Sequence, residues 1–186
     1  MKHSKILLCL LFLLSGCSGS KDTMDTAMRL RAELLGATEL RFRCSVIADY
    51  GDQIHTFKMD CFGNERGDIQ FTVAEPESIS GITGLIEEKG GKFTFDDKVL
   101  FFPLLVDNQL SPVCAPWIFL KALQSGYIRS VGKEDNFLRL TVDDTYADET
   151  LQMDVWITEE KSPVRADILY DGKRLLSLEI ENFHIQ

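Results

Sequence analysis

The chain has 186 residues with 20 basic and 29 acidic side chains, which gives a formal net charge of −9. The leader described below contains Lys2 and Lys5, so the mature chain has 18 basic residues against 29 acidic ones and a formal charge of −11. A surface of this sign repels nucleic acid and anionic headgroups, and the sequence has no basic stripe of the kind that binds nucleic acid. The remaining length of about 170 residues fits one domain with its own core.

The first residues have the pattern of an export signal. Lys2 and Lys5 precede an apolar run from Ile6 to Leu14, which is too short to span a bilayer. It fits the apolar core of a signal peptide, which has roughly 7 to 15 residues. The run ends in Leu14-Ser15-Gly16-Cys17, which matches the bacterial lipobox. Residues 1–16 are therefore predicted to be a lipoprotein signal peptide.

Cys17 is then the first residue of the mature chain. We expect its thiol to carry a diacylglycerol and its amino group a further acyl chain, and we expect no other cofactor. Each buried methylene contributes about 0.8 kcal/mol, so two or more chains hold a protein stably at a membrane. The alternatives are an ordinary cleaved signal peptide and an uncleaved anchor helix. Residues 17–21 are predicted to be a flexible tether, and residues 22–186 a single domain at the extracytoplasmic face of the cell membrane.

The domain is predicted to begin with a helix. Asp22 or Thr23 is a suitable N-cap, and Gly36 a suitable end. Five apolar residues recur at helical spacing in between: Met24, Ala27, Met28, Leu34 and Leu35. From Leu40 onward the period changes to two, which indicates strands.

The first two predicted strands flank a turn at residues 50–53 and contain Cys44 and Cys61. Alternation gives them one apolar face, made of Phe42, Cys44, Val46 and Ala48 on the first and Phe57, Met59 and Cys61 on the second. A turn centred between Asp52 and Gln53 places Cys44 opposite Cys61. One interpretation is a cross-strand disulfide, which export permits. The other is two buried thiols that act as small apolar side chains.

The rest of the chain continues as strands with one interruption. Alternating or apolar runs predict strands at 69–73, 99–102, 138–142, 151–157, 164–170 and 175–180, and Asp171-Gly172 predicts a tight hairpin. Short turns favour antiparallel pairing. Between Pro112 and Gly126 the sequence instead predicts a helix that is apolar around most of its circumference, and such a helix is buried.

This order of elements resembles the LolA/LolB-like lipoprotein-carrier superfamily. The resemblance covers most of the mature chain. It rests on the two helices, the stretch PESISGITG at 76–84, the run FDDKVLFFP at 95–103 and the ending SPVRADILYDGKRLLSLEIENF at 162–183. It implies a mainly β (α+β) fold, a curved antiparallel half-barrel sheet covered by an N-terminal helix and an internal helix. The chain is also similar to the germination lipoprotein GerS of spore-forming bacteria, which implies binding of a cell-wall enzyme rather than of lipid.

Two functions therefore remain open, and neither involves nucleic acid. A GerS-like adaptor binds an envelope protein through an exposed patch or sheet edge, and Trp156, on the polar face of its strand, is either exposed for this purpose or covered by the N-terminal helix. A carrier binds acyl chains or lipoproteins in an apolar cavity. The expected cavity lining is Phe42, Phe57, Met59, Phe71, Trp117, Phe119, Leu120, Met153 and Val155. The alternative for these residues is a filled core.

An enzymatic function is not predicted. The mature chain has only two histidines, His55 and His184, and no catalytic motif surrounds either. Cys114 lacks a recognisable base, and no group of residues has the spacing of metal ligands. We therefore predict a protein without catalytic or metal-binding residues.

Overall fold

The computed structural model describes residues 19–51, 53–95, 98–103, 105–106, 109–146 and 149–186. The predicted signal peptide, the lipobox and Cys17 lie outside this part of the chain. No helix within it is long and apolar enough to cross a membrane.

Two α-helices and thirteen strands make up the described fold. Helix α1 is Gly19–Gly36 and helix α2 is Ala115–Ser125. The strands are β1 (Glu39–Asp49), β2 (Ile54–Asn64), β3 (Ile69–Glu75), β4 (Thr83–Glu87), β5 (Gly90–Phe95), β6 (Lys98–Phe102), β7 (Leu105–Val106), β8 (Gln109–Leu110), β9 (Tyr127–Glu134), β10 (Phe137–Tyr146), β11 (Glu149–Ile157), β12 (Pro163–Tyr170) and β13 (Lys173–Ile185). Two short 3-10 helices, Glu77–Ile79 and Pro112–Cys114, lie in connections.

Eleven strands form one curved antiparallel sheet that does not close into a barrel, as predicted. Their order is β6-β5-β4-β3-β2-β1-β13-β12-β11-β10-β9. Because the strands alternate, one face of the sheet, here called the inner face, carries the buried side chains that pack with α1 and α2 in one core. The opposite, outer face is mostly polar.

The register between β1 and β2 differs from the prediction. Cys44 lies opposite Met59 and Cys61 lies opposite Phe42, so the predicted pairing of Cys44 with Cys61 is wrong by two residues. The reason is the position of the turn. Asp49 pairs with Ile54, which centres the turn one residue earlier than expected. The face assignment is unaffected, because a shift of two residues preserves the alternation.

Helix α1 ends at Gly36 as predicted, but residues 19–23 are already helical, so neither Asp22 nor Thr23 is its N-cap. Its buried face also differs, because Leu30 joins Ala27 and Leu34 in the core while three of the five predicted residues are exposed: Met24, Met28 and Leu35. Helix α2 agrees with the prediction. All the apolar residues from Trp117 to Leu123 are buried in it.

Trp156 is neither exposed nor covered by α1, so both forms of that expectation were wrong. Its exposed fraction is 8%, although it lies on the outer face. The guanidinium groups of Arg165 and Arg139 cover its ring at 4.4 and 5.3 Å from the centroid. Its Nε1 donates a hydrogen bond to Glu134 at 3.0 Å. Long cationic side chains thus cover this indole through their stems and cation-π contacts.

Candidate functional site

The nine residues predicted to line a cavity are all buried and belong to the continuous core. The ring of Phe119 on α2 packs edge-on against Phe42 of β1, with centroids 6.1 Å apart. Side chains therefore fill the space between α2 and the centre of the sheet, as expected for a close-packed core. Among the nine, Phe57 alone lines the apolar groove that the described residues form elsewhere.

This apolar groove lies at the end of the sheet where β2 begins and β3 ends. It has a volume of about 850 Å³. Three connections border it: the β1–β2 turn, the segment between β3 and β4, and the segment between β8 and α2. Its lining consists of Tyr50, Ile54, His55, Thr56, Phe57, Val73, Pro76, Ile79, Ile82, Phe93, Leu110, Ser111, Pro112 and Val113.

Local sequence explains the walls of the groove. After Pro76 the chain turns through the 3-10 helix Glu77–Ile79, which leaves the Ile79 side chain partly exposed on one wall. The other wall follows Ser111, where Pro112 starts a second 3-10 helix that continues into α2. Prolines at such first positions lose no helical hydrogen bond. The sequence indicated Pro112 as a helix start and contained the stretch 76–84 that resembles the LolA/LolB-like superfamily, but nothing in it placed the two segments side by side.

The floor of the groove is held by a hydrogen bond between distant segments. The Tyr50 hydroxyl donates to the Leu110 carbonyl oxygen at 2.7 Å. Burial raises the pKa of Tyr50, so the hydroxyl stays protonated as the donor. Among the residues that the structure describes, the groove lining contains no Asp, Glu, Lys or Arg. A ligand there meets apolar side chains and a few polar groups, among them those of His55 and Ser111.

The cysteine beside the groove is not an activated nucleophile. Cys114 lies behind Ser111, and burial raises the pKa of its thiol to about 12. A thiol with this pKa is protonated at neutral pH and is a poor nucleophile. Within the described residues, no group of three or more His, Cys, Asp or Glu side chains is arranged to hold a metal ion.

The two cysteines of the first hairpin lie side by side on the inner face. Their Sγ atoms are 3.8 Å apart, and both are free thiols in the structure. Burial, together with the contact to Cys44, raises the pKa of Cys61. The pair is diagonal across β1 and β2, not directly opposite, and a disulfide between these residues stays a prediction.

The chain matches no protein-family model, and no curated protein matches it in sequence. Among solved structures it is similar to a LolA superfamily protein from Nitrosomonas europaea, with a TM-score of 0.50 and 6% identity over 88% of this chain and 93% of that one. It is also similar to a putative outer membrane lipoprotein-sorting protein domain from Vibrio parahaemolyticus, with a TM-score of 0.48 and 10% identity over 89% and 93% of the two chains. A third similar structure is the lipoprotein LppX of Mycobacterium tuberculosis, with a TM-score of 0.39 and 11% identity over 84% and 92%. At these identities the likeness concerns the fold alone. The fold is LolA-like, as the order of elements predicted.

Proposed function

We propose that this LolA-like chain is a lipid-anchored, non-enzymatic protein of the cell envelope that binds an acyl chain or a similar apolar ligand in the apolar groove. The observation that carries the proposal is the groove itself, an opening of about 850 Å³ that the protein's own side chains leave unfilled. Its size lies within the range of about 300 to 1,000 Å³ that is usual for ligand sites. Cys17 would hold the groove close to a membrane, where acyl chains are found.

The chemistry of the lining favours an uncharged, apolar ligand. Each Å² of apolar surface that leaves water contributes about 25 cal/mol, and no buried charge in the described part of the lining opposes entry. The exposed side chains of Ile54 and Ile79 lie at the mouth, where a ligand would cover them. The hydrogen-bonding groups of His55 and Ser111 suit an ester or amide near the end of an acyl chain.

The test is native mass spectrometry of the chain from Ser18 onward, followed by organic extraction of any bound lipid. We expect a lipid to remain bound, and we expect Ile54→Glu to remove it by placing a charge in the groove. Leu35→Glu is the matched control, because Leu35 is 64% exposed on α1 and Ile54 is 66% exposed. A protein that purifies empty and binds no added fatty acid, or that loses lipid equally in both variants, contradicts the proposal.

The membrane anchor has its own test. Cys17→Ser removes the thiol that the lipid requires, so the protein should move from the membrane fraction to the soluble fraction. A variant that stays with the membrane would disprove the lipid anchor but would leave the groove proposal open.

A second candidate function is binding of an envelope protein, and strand β6 favours it. This strand forms one edge of the sheet, and three consecutive apolar residues are exposed on it: Val99, Leu100 and Phe101. An open edge has unpaired backbone groups that lipid cannot satisfy but an added strand can. The partner expected here is an extended apolar segment. A GerS-like partner and a role in germination stay predictions.

Site-specific photocrosslinking at Phe101 in cells distinguishes the two functions. An adaptor gives a crosslinked protein at this position that Val99→Lys abolishes and Ile54→Glu leaves intact. Crosslinks that are absent, or that Val99→Lys does not change, contradict the adaptor function.

A further inference from the structure

The outer face of the sheet carries a second groove, which has a different chemistry. It has a volume of about 870 Å³ and crosses the strands from β13 to β5. Its polar lining includes Arg41, Arg43, Lys92, Asn182 and His184. We call it the polar groove. The apolar groove is lined by none of these five residues.

Strand register explains how residues far apart in sequence meet in the polar groove. Arg41 lies opposite His184 on β13 and opposite Phe62 on β2. The same row continues strand by strand to Lys92 on β5. In the neighbouring row, three exposed threonines on β3, β4 and β5 lie directly opposite one another, namely Thr72, Thr83 and Thr94. The groove therefore combines a row of hydroxyl groups with cationic side chains in and next to that row.

A β-bulge in β13 directs two side chains into this groove. Asn182 has a φ of 53°, in the left-handed region that non-glycine residues seldom adopt. The pairing with β1 shifts here, between Arg41 and Arg43. As a result Phe183 packs in the core against Phe42, while Asn182 and His184 both line the polar groove. Bulges commonly reorient side chains in this way next to functional sites.

The groove is locally cationic although the whole protein is acidic. Its lining contains three cationic side chains, Arg41, Arg43 and Lys92, and one carboxylate, Asp60. Arg43 and Asp60 form two hydrogen bonds of 2.7 and 2.9 Å, and the Arg43 guanidinium lowers the pKa of that carboxyl group. Lys92 forms no ion pair within the described part of the chain. An anion entering the groove thus meets cations without displacing a buried carboxylate.

A second of these three cations, Arg41, is also partly engaged by its neighbours. Arg41 donates to Glu39 and lies over the Phe62 ring at 5.5 Å from its centroid. The carboxylate of Glu181 lies opposite Arg43 in the register but does not line the groove. Acidic residues thus border the cationic strip, so the charge that favours an anionic ligand is confined to the groove.

We propose that the polar groove binds phosphate groups carried on a polyol, such as repeating glycerol phosphate. Guanidinium and ammonium groups form strong charge-assisted hydrogen bonds with phosphate. The threonine hydroxyls and the Asn182 amide both donate and accept, which suits the hydroxyl groups between phosphates. The same chemistry occurs in phospholipid headgroups and in soluble polymers. This site is independent of the apolar groove, so either proposal can fail alone.

The experiment measures binding to the lipid-anchored protein held in nonionic detergent, with two probes. One is short poly(glycerol phosphate), and the other is glycerophosphoglycerol, the soluble headgroup of phosphatidylglycerol without its acyl chains. We expect saturable binding that weakens as salt is added. Arg41→Gln and Lys92→Gln should each weaken it about tenfold, since each removes a charge-assisted contact. Binding of the polymer identifies a soluble polymer as the source, and binding of the isolated headgroup alone identifies a phospholipid.

Two further variants separate the site from general effects of charge and folding. Lys133→Gln removes one exposed charge from β9, at the other end of the sheet, and should leave binding unchanged. Asn182→Gly keeps a backbone suited to positive φ while removing the amide, so it should weaken binding without unfolding the protein. The proposal is overturned if neither probe binds, or if Lys133→Gln weakens binding as much as Lys92→Gln does.

Discussion

Arg31 and Gln124 join the two helices through reciprocal hydrogen bonds to the backbone. Arg31 of α1 donates from Nε to the Leu123 carbonyl oxygen and from Nη2 to the Gly126 carbonyl oxygen, both at 2.7 Å. Gln124 of α2 donates from Nε2 to the Leu34 carbonyl oxygen at 3.2 Å. The last carbonyl groups of a helix have no partner within it, so each helix supplies a cap to the other. The Arg31 guanidinium lies at the C-terminal end of α2, where its positive charge also interacts favourably with the dipole of that helix.

Arg31→Met should therefore destabilise the protein although it keeps an apolar stem. We expect a loss of about 1 to 3 kcal/mol in the free energy of unfolding, because charged hydrogen bonds to partly buried carbonyls are removed. Arg29→Met is the control. Arg29 pairs only with exposed Asp25, so its loss should cost less than about 0.5 kcal/mol. Urea unfolding of both variants measures the difference, and equal losses would show that the Arg31 cap contributes nothing specific.

The buried carboxylate of Asp154 leads to a second prediction. It accepts hydrogen bonds from Arg139 and from the Thr141 hydroxyl, each at 2.7 Å. Arg139→Gln leaves this carboxylate without its cation, so it should lower the free energy of unfolding by about 2 to 4 kcal/mol. Lys58→Gln breaks an exposed ion pair with Glu75 on the same sheet and should cost less than about 0.5 kcal/mol.

Removing the negative charge of Asp154 tests whether the unpaired carboxylate causes this loss. In the double variant Arg139→Gln with Asp154→Asn, no unpaired charge is left buried, because the other partner of Arg139, Glu134, is exposed. Part of the lost stability should therefore return. Thermal unfolding of the single and double variants measures the recovery. A double variant that is less stable than Arg139→Gln alone would mean that the unpaired carboxylate is not the cause.

The sequence predicted those parts of the fold that depend on local periodicity. Alternation identified the inner face of β1 and β2, and apolar residues around the whole circumference identified α2 as buried. Asp171 and Gly172 both have positive φ, as the predicted hairpin turn requires, and Tyr170 pairs with Lys173. Each of these features is set by residues a few positions apart.

Features set by contacts between distant strands were missed. Nothing near Trp156 in sequence showed that Arg139 and Arg165 would cover it, since they lie on the two neighbouring strands. The apolar groove combines a turn, a 3-10 helix and the start of α2, and no periodicity indicates that these are close in space. The polar groove was missed for the same reason. Net charge sums the whole surface, whereas Arg41 and Lys92 meet only through the register of five strands.

The Cys114 thiol predicts a loss of stability at alkaline pH. Burial raises its pKa from 9.0 to about 12 in the folded protein. The unfolded chain releases the proton above pH 9.0, while the folded chain retains it until about pH 12. The contribution of the buried Cys114 thiol to the free energy of unfolding is therefore complete below pH 9.0. It is lost as the pH rises toward 12, by about 1.4 kcal/mol per pH unit.

Urea unfolding at about pH 8 and about pH 10.5 measures this slope. Cys114→Ala removes the thiol, so the variant should lose less stability between the two values than the natural chain does, whatever its stability at neutral pH. Cys61 titrates in both proteins and contributes equally to each slope. Cys114 itself adds to the raised pKa of Tyr50, so its removal reduces the Tyr50 contribution as well and changes the slope in the same direction. Identical slopes would mean that Cys114 ionises in the folded protein as readily as in the unfolded chain.

The last prediction concerns Gly126, where α2 ends and β9 begins. A Cβ atom at this position would lie 2.5 Å from Cγ1 of Val142 and 2.7 Å from the Ala122 carbonyl oxygen. Neither neighbour can move freely, since Val142 is in the core and Ala122 accepts the hydrogen bond of the Gly126 amide. Gly126→Ala should therefore cost about 1 to 3 kcal/mol. Gly132→Ala on β9 is the matched control, because nothing lies within 4 Å of its added Cβ, and it should change stability by less than about 0.5 kcal/mol. If both variants unfold at the same urea concentration, α2 and β10 can move apart to accept a Cβ atom at position 126. Close packing at Gly126 would then not fix how the helix joins the sheet.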